Sequence, residues 1–400
     1  MRGRRLASGS AVLAAAAVVA VAFWLVLFVR GNRFPMVDLA VYRAGGRAVL
    51  DGRDLYTMHA PGTGLPFTYP PFAALAFVPL AAIGVGLGQL LFSVVSLLAL
   101  GRVVWVVVGR ALPPTTDAAL RFSGAAVVGA LALSFEPVLS TLSFGQVNLV
   151  LLALIVEDLL GSVPARFRGV LVGVAAGLKI TPALFVVYLV VVGRYRDAAR
   201  AVAGFAVTLA LGFALLPDAS WRYWTGIAYD ARRVGGVAYA GNQSIDAVLI
   251  RLSSIDGARL AWLAAAAVVT VVALLTARAA SRTGREVVAV TVVGVASLLA
   301  SPVAWNHHWV WSALVVAVLG ADLLVRREAP RRLTLGLLVL VVAVFVSRII
   351  WWVPATHDVE YRWRGWQLVA GNAYVIVGLL FLAWATALVR TQFWPRRAVR

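Results

Sequence analysis

An acidic residue and a tyrosine open the first polar stretch of the chain, directly after its first long apolar run. Asp38 and Tyr42 are four positions apart, so on a helix they share one face. A carboxylate at the end of an apolar helix is costly to desolvate and usually has a function. Because one carboxylate can take the proton of an attacking hydroxyl group, Asp38 is the candidate general base. The alternative is that Asp38 only caps a short surface helix.

A single lysine lies inside an apolar run. Lys179 is the only lysine of the chain and falls within the run 169–193. An ammonium group there costs about 2.5–3.5 kcal/mol on insertion scales. Such a charge needs an anion, and we expect that anion to be a substrate phosphate. The alternative is that Lys179 extends its amine to the membrane interface near Pro182, which divides the run into broken or re-entrant helices.

Two adjacent histidines follow Pro302 at the end of another apolar run. His307 and His308 would point about 100° apart on a helix, so we expect one of them to face a site. That imidazole could donate to a phosphate or a hydroxyl group of a substrate, whereas the alternative is an interfacial histidine bonded to the backbone. A metal site is disfavoured, because neighbouring helical histidines do not converge on one ion and no third ligand has a suitable spacing.

Four neutral amides occur in two short polar motifs. Gln146 and Asn148 belong to the segment 143–148, and Asn242 and Gln243 belong to the segment 241–244. Carboxamides both donate and accept hydrogen bonds, as recognition of a substrate with several hydroxyl groups requires. They can equally brace one helix against another. Both interpretations stay open at this stage.

Two further charged residues lie within apolar runs but have no motif around them. Glu136 precedes Pro137 and is either a second site residue or the partner of an arginine. Arg348, in the run 333–353, is a candidate contact for a phosphate or lipid headgroup.

The composition predicts an integral membrane protein built of helices. The 400 residues are 62% hydrophobic and 13% charged, with a mean hydropathy of +0.90, whereas soluble domains are about 25% charged. Long unbroken apolar runs without alternation argue against a β-barrel. The net charge of +19 comes from arginines flanking apolar runs, as membrane orientation requires, so no nucleic-acid partner is implied. The absence of cysteine excludes disulfides and thiolate sites.

About twelve apolar runs, within a range of ten to thirteen, predict an all-α polytopic bundle with extracytoplasmic loops and short surface helices. The first, Ala11–Val29, follows arginines 2, 4 and 5 and is expected to be an uncleaved, inward-starting helix. Basic clusters after later runs then fall on the cytoplasmic side, with both termini. The segments 30–70, 217–259 and 348–368 fall outside. Without a clear repeat or linker, residues 1–400 are expected to form one domain.

Several motifs occur in a fixed order along the chain. They are Asp38-Leu39-Ala40-Val41-Tyr42, Gly45-Gly46, Asp51-Gly52-Arg53-Asp54-Leu55-Tyr56, Tyr69-Pro70-Pro71-Phe72, Ser143-Phe144-Gly145-Gln146-Val147-Asn148, Gly177-Leu178-Lys179-Ile180-Thr181-Pro182, Gly241-Asn242-Gln243-Ser244 and Ser301-Pro302-Val303-Ala304-Trp305-Asn306-His307-His308. This ordered set resembles glycosyltransferase family 87, the polyprenol-phosphate-mannose-dependent α-mannosyltransferases of actinobacteria. The motifs cover about residues 30–310.

The resemblance implies a GT-C architecture in the plasma membrane, with an aspartate as base in the first extracytoplasmic loop. Asp38 occupies that position. The resemblance also implies that the sugar donor is polyprenyl-phosphate mannose. The implied acceptor is a lipid-linked glycan of the phosphatidylinositol mannoside, lipomannan or lipoarabinomannan series, to which mannose is joined by an α-1,2 linkage. Neither a metal ion nor a cofactor is implied. We expect the substrate-binding and catalytic residues besides Asp38 to be Lys179, Tyr42, Arg43, Tyr69, Gln146, Asn148, Asn242, Gln243, His307 and His308.

One carboxylate suffices for this reaction. A phosphate leaving group needs no general acid, unlike the alcohol expelled in glycoside hydrolysis, but it needs cations that hold its charge.

Two alternative functions are also compatible with the sequence. One is a GT-C transferase of another sugar, and the other is a polytopic transporter or flippase, which would be expected to show repeated halves.

Overall fold

The computed structural model describes residues 36–393, apart from 231–232, 234, 254–258 and 357. The expected first helix Ala11–Val29 and the last basic cluster, Arg396, Arg397 and Arg400, lie outside the described residues. Within the described range every regular element is helical. Extended segments pair there only as isolated bridges, His59 with Pro66 and Asn242 with Trp305. The predicted all-α class is confirmed.

Seventeen α-helices are labelled here in chain order, from the first described one. They are α1 Val37–Leu50, α2 Pro71–Ala82, α3 Val85–Ala111, α4 Ala118–Ser134, α5 Glu136–Phe144, α6 Asn148–Leu160, α7 Val170–Leu178, α8 Leu184–Val191, α9 Tyr195–Leu215, α10 Pro217–Thr225, α11 Ile245–Ser253, α12 Arg259–Arg282, α13 Glu286–Ala300, α14 Ser312–Ala321, α15 Arg331–Ser347, α16 Trp366–Gly371 and α17 Ala373–Phe393. Short 3-10 turns join some of them, including Thr181–Ala183 and Asn306–Trp311.

Five helical segments of the described chain are long and apolar enough to cross a membrane. They are Val85–Ala111, Tyr195–Leu215, Arg259–Arg282, Asn306–Arg326 and Ala373–Arg390. A sixth is added if α4 and α5, which meet at a bend, form one broken span. The protein is therefore a helical membrane protein, and the larger expected number of spans stays a prediction.

The apolar run 72–86 forms a helix that is too short for a span. The helix α2 has 12 residues, or about 18 Å at 1.5 Å per residue, whereas the hydrocarbon core is about 30 Å thick. It packs against α1: a Cβ atom on Gly46 would lie 2.7 Å from the carbonyl oxygen of Phe77. Only glycine allows the two helices to approach this closely.

The predicted break near Pro182 is confirmed. The helix α7 ends at Leu178, Lys179 is extended with φ −153° and ψ 133°, and a 3-10 turn at Thr181–Ala183 leads into α8. Proline cannot continue the hydrogen-bonding pattern of the preceding turn. The break leaves Lys179 on extended backbone between two short helices.

The described chain divides into two compact units, each considered by itself. The first unit contains residues 36–102 and 139–237, and the second contains 103–138 and 238–393. In the first unit α7 packs on α9, where a Cβ atom on Gly173 would lie 2.1 Å from the carbonyl oxygen of Ala201. Close approach through small residues is typical of membrane helices.

The second unit is organised around α13, in which 13 of the 15 residues are buried. Its neighbours α12 and α17 pack against it. A Cβ atom on Gly294 would lie 2.2 Å from the Trp311 ring, and one on Gly378 would lie 2.8 Å from the Trp309 ring. Large indoles therefore fill the space that these glycines leave.

Candidate active site

The helix α1 positions Asp38 and Tyr42 on one face. Its N-cap residue is Met36, at φ 38°, and no side chain makes a capping hydrogen bond there. Asp38 instead lies in the first turn of the helix, where the positive end of the helix dipole favours a carboxylate. The geometry therefore differs from the capping alternative considered for Asp38.

A glycine turn brings Gln146 next to the start of α1. Gly145 has φ +63°, and a Cβ atom there would lie 2.6 Å from Cβ of Leu39. The backbone N–H of Met36 donates to the carbonyl oxygen of Ser143 at 3.1 Å. Left-handed backbone and close contact both require glycine at this position. The motif 143–148 is thus bound to the segment that carries Asp38.

Two tyrosines and Gln146 form a hydrogen-bonded network beside Asp38. The hydroxyl oxygens of Tyr42 and Tyr69 are 3.0 Å apart. Nε2 of Gln146 donates to the Tyr69 hydroxyl at 3.1 Å, and the Tyr42 hydroxyl donates to Oε1 of Gln146. The ring of Tyr42 is fully buried and stacks on Phe77 with centroids 4.3 Å apart. Buried polar networks with satisfied partners are rigid, so these groups hold one arrangement.

Lys179 joins this network from the end of α7. Its Nζ donates to Oδ1 of Asn148 at 3.2 Å and lies 5.7 Å from the centroid of the Tyr69 ring. Six of the residues predicted for the site thus come together in the first unit. We call them the Asp38 cluster: Asp38, Tyr42, Tyr69, Gln146, Asn148 and Lys179.

The electrostatics of the Asp38 cluster suit a base that works near neutral pH. Burial raises the pKa of the Asp38 carboxyl, while the charge of Lys179 and a hydrogen bond from Gln146 lower it, leaving a pKa of about 6. This residue lies outside every candidate span of the described chain. A base is most efficient when its pKa is close to the working pH. Asp38 is therefore ionised at neutral pH but more basic than an exposed aspartate.

Asp158, which the sequence reasoning missed, anchors the helix that ends at Lys179. Its carboxylate accepts hydrogen bonds from the backbone N–H groups of Gly169 at 2.6 Å and Val172 at 2.8 Å. These are donors at the start of α7, which have no partner within the helix. A signal was present in the sequence, because Asp158 is an acid near the end of the apolar run 146–160, and Asp38 was singled out as an acid beside the end of another such run.

Arg43 lies elsewhere on α1. Its guanidinium donates to the carbonyl oxygens of Leu80 and Ile83, the latter at 2.8 Å, at the end of α2. Arg43 is five positions after Asp38, which places the two residues about 140° apart around the helix. Arg43 is thus on a different face from the candidate base.

In the second unit, Asn242 and Gln243 connect two of the sequence motifs. The Asn242 side chain donates to the carbonyl oxygen of Pro302 at 3.1 Å and accepts from the N–H of Ala304 at 2.9 Å. Nε2 of Gln243 donates to the carbonyl oxygens of Ala240 and Gly371. Both side chains are fully buried. These contacts are those of bracing groups, which hold the segment 241–244 against 302–305.

His307 and His308 lie on the 3-10 turn Asn306–Trp311. Their rings are 4.7 Å apart between centroids and inclined by 87°, so they point in different directions, as adjacent positions on a helical turn require. Nδ1 of His308 accepts from the N–H of Trp305 at 3.2 Å. His307 is buried, with 7% of its surface exposed.

Glu136 holds the start of this turn. Its carboxylate accepts hydrogen bonds from Asn306 at 2.6 Å, from the Trp351 indole at 3.2 Å and from the Tyr374 hydroxyl at 2.8 Å. Arg348 is exposed and lies at the end of α15, where its backbone has the left-handed conformation with φ 56°. Glu136 thus fixes the start of the histidine turn through three hydrogen-bond donors, whereas Arg348 lies at the end of α15.

Arg251 is a buried cation that the sequence reasoning missed. It is 1% exposed and donates to the carbonyl oxygens of Ala238 and Asn242 and to Oδ1 of Asn372. Its guanidinium also lies 5.1 Å from the centroid of the Trp363 ring.

Within the described residues, no three histidine, aspartate or glutamate side chains come together as a metal site would require.

Comparison with known proteins gives consistent matches. The model of glycosyltransferase family 87 matches residues 67–302, more than half of the chain. A polyprenol-phosphate-mannose-dependent α-(1-2)-phosphatidylinositol mannoside mannosyltransferase of Mycobacterium tuberculosis is 34% identical over 382 residues, covering 91% of this chain and 87% of the relative. The protein of that name from Mycolicibacterium smegmatis is 35% identical over 366 residues, covering 85% and 81%.

A third relative is named for a different acceptor. The polyprenol-phosphate-mannose-dependent α-(1-2)-phosphatidylinositol pentamannoside mannosyltransferase of Mycobacterium tuberculosis is 36% identical over 384 residues, covering 94% of this chain and 86% of the relative. No solved structure matches the chain. The family match and the near full-length relatives agree with the motifs gathered in the Asp38 cluster, and the chain belongs to glycosyltransferase family 87.

Proposed function

We propose that the protein is an inverting α-mannosyltransferase. It transfers mannose from polyprenyl-phosphate mannose to a lipid-linked acceptor of the phosphatidylinositol mannoside class, forming an α-1,2 linkage. The observation that carries this proposal is the Asp38 cluster, in which a half-buried carboxylate with a pKa of about 6 shares its surroundings with Lys179. The names of the mycobacterial relatives supply the donor and acceptor classes.

The reaction is a single displacement at the anomeric carbon of mannose. The acceptor hydroxyl oxygen bonds to that carbon while the bond from the carbon to the phosphate oxygen breaks, and the electron pair leaves with polyprenyl phosphate. Asp38 takes the proton of the acceptor hydroxyl group. One displacement inverts the anomeric configuration, so a β-linked donor gives an α-linked product.

Lys179 holds the phosphate of the donor. As the glycosidic bond breaks, charge grows on the phosphate, and a cation already in place stabilises that charge without reorganisation. Asn148 orients the ammonium group by accepting a hydrogen bond from Nζ. Tyr42, Tyr69 and Gln146 keep the carboxylate of Asp38 in position and present hydroxyl and amide groups to the sugar.

The remaining predicted residues complete the proposal. His307 and His308 donate to a phosphate or a sugar hydroxyl group of a substrate, and Asn242 and Gln243 shape the segment beside them. The reaction takes place on the extracytoplasmic side of the plasma membrane, with both chain termini in the cytoplasm and about twelve membrane helices. Support for this orientation comes from the arginine clusters, since cytoplasmic loops are enriched in arginine and lysine.

Replacing the base tests its assignment. The variant Asp38→Asn keeps the size and polarity of the side chain but cannot accept the proton, so kcat should fall by about 10²–10⁴-fold. The measurement is transfer of radiolabelled mannose from polyprenyl-phosphate mannose to mannolipids by the purified enzyme. The matched control is Asp218→Asn, an exposed acid in the first turn of α10, which should keep wild-type turnover. Near-normal turnover of Asp38→Asn would remove this residue from the mechanism.

The pH dependence of the reaction follows from the pKa of Asp38. The carboxyl must be ionised to act as a base, and burial raises its pKa to about 6. Below that value kcat/KM should fall about tenfold for each pH unit. Initial rates at low substrate concentration, measured between about pH 5 and 8, give the profile. A wild-type profile that is flat down to about pH 5 would contradict the assignment, as would the same acid limb in the residual activity of Asp38→Asn.

Removing the charge of Lys179 tests the phosphate contact. The variant Lys179→Met should raise the donor KM by about tenfold or more, because it removes a charge-assisted hydrogen bond. Lys179→Arg keeps the positive charge and should recover most of the affinity. Equal donor KM values for wild type and Lys179→Met would support the interfacial alternative for this lysine.

Single cysteines test the orientation, since the chain contains none. Leu50, Tyr229 and Trp352 are exposed. A single cysteine introduced at any of these positions should react with a membrane-impermeant maleimide in intact cells. Cysteines at the exposed positions Arg196 and Arg278 should react only after the membrane is permeabilised. The opposite pattern would invert the proposed topology.

A further inference from the structure

A cavity of about 390 Å³ lies against α1 in the first unit. We call it the arginine cavity. Its lining residues are Met36, Leu39, Ala40, Arg43, Ala44, Arg47, Ala48, Arg53, Met58, His59, Pro61, Ala81, Val85 and Gln89. Its volume falls within the range of about 300–1,000 Å³ that is usual for small-molecule sites. None of the residues of the Asp38 cluster lines it, so it is separate from the candidate base.

The charge of the arginine cavity is positive. Arg43, Arg47 and Arg53 line it, and no aspartate or glutamate of the described chain does. Arg47 and Arg53 share one carboxylate behind them, that of Asp51, at 3.0 and 2.8 Å. Three guanidinium groups and one carboxylate leave a net charge of about +2 at this place. A ligand for this cavity is therefore an anion.

Two of these arginines can turn towards a ligand at little cost. The side chains of Arg47 and Arg53 are 59% and 62% exposed. Exposed ion pairs contribute only about 0–1 kcal/mol to the free energy of unfolding. Arg47 and Arg53 can therefore leave the Asp51 carboxylate and contact a ligand anion at little cost in stability. Arg43 is already held by the carbonyl oxygens at the end of α2. Arginine is well suited to phosphate because its planar group offers paired donors.

Most of the other lining residues are apolar, and the exceptions are His59 and Gln89. Met36, Leu39, Met58, Pro61 and Val85 face the same space as the arginines. A small hydrophilic anion would gain nothing from these side chains, whereas a lipid has an anionic head attached to an apolar body. Methionine side chains adapt to irregular apolar ligands. The combination therefore fits the phosphodiester of a phospholipid together with the first part of its glycerol and acyl region.

The position of the cavity on α1 decides which phosphodiester it fits. Arg47 is nine residues after Asp38, or about 180° around the helix. The width of a helix with its side chains, about 10–12 Å, thus separates the cavity from the base. A phosphate there is too far away to leave from the carbon that the acceptor attacks. A phosphatidylinositol mannoside, in contrast, has sugar rings between its phosphodiester and the reacting hydroxyl group.

We propose that the arginine cavity binds the phosphodiester of the lipid acceptor. This inference rests on the proposed mannosyl transfer and adds the means by which the acceptor is recognised. The cavity fastens the anionic end of the acceptor on one face of α1, and its mannosyl end reaches the base on the opposite face. Acceptor selectivity then depends on charge as well as on the sugar.

The test compares a charged and a neutral acceptor. Wild-type enzyme is assayed with a phosphatidylinositol mannoside and with an alkyl mannoside that has the same terminal sugar but no phosphate. The variant Arg47→Gln/Arg53→Gln should lower the ratio of kcat/KM for the charged over the neutral acceptor by about tenfold or more, mainly through the acceptor KM. The control Arg196→Gln/Arg278→Gln removes the same charge from two exposed positions and should keep the wild-type ratio.

Two additional measurements make the outcome decisive. Arg47→Lys/Arg53→Lys keeps the charge and should recover part of the preference. Phosphatidylinositol should compete with the charged acceptor in the wild type and about tenfold less well in the glutamine variant, whereas inorganic phosphate should not compete at a similar concentration. A ratio that is the same in wild type and glutamine variant would overturn the inference. Failure of the wild type with both acceptors would instead count against the proposed mannosyl transfer.

Discussion

The arrangement of the first unit depends on one constraint, the presence of a carboxylate and an ammonium group in largely apolar surroundings. Asp38 and Lys179 are 141 positions apart in the sequence, and each charge would be costly alone in such a place. Their mutual attraction reduces that cost, and Gln146 and Asn148 supply hydrogen bonds to the two charged groups. The glycine turn at Gly145, the broken helix before Pro182 and the anchoring of α7 by Asp158 all serve to bring these groups together.

In the second unit buried ions are again held by hydrogen bonds, and Arg251 also interacts with the charge of the buried Glu360. Glu136 is buried, yet its carboxylate is held by an amide, an indole and a hydroxyl group, and Arg251 is surrounded by carbonyl oxygens. Burying an ion is tolerated when its hydrogen-bonding capacity is satisfied. Both networks fasten short irregular segments, the turn that carries the histidines and the segment that follows Ala238. Irregular backbone inside a membrane protein needs such partners, because lipid offers none.

The helix α1 separates two kinds of chemistry by its two faces. Asp38 and Tyr42 face the hydrogen-bonded cluster, whereas Arg43 and Arg47 face the arginine cavity. The side of α1 near Gly46 is held against α2 by direct backbone contact. A rigid helix of this kind keeps the base at a constant distance from the cationic cavity. The proposed acceptor, with an anionic end and a sugar end, matches that separation.

Composition and motif order determined the membrane class, the helical fold and the family, because hydropathy and the types of neighbouring residues are properties of the chain itself. The sequence also singled out Lys179 as an ionisable group in an apolar run, Asp38 as an acid beside the end of such a run, and the amides of the segment 143–148 as candidate site residues. Tertiary structure alone decided which residues meet. It joined Gln146 to Asp38 and Asn148 to Lys179, placed Arg43 on the far face, and showed that the run 72–86 forms a short helix packed on α1. These outcomes depend on long-range packing and on side-chain direction, which local sequence patterns do not encode.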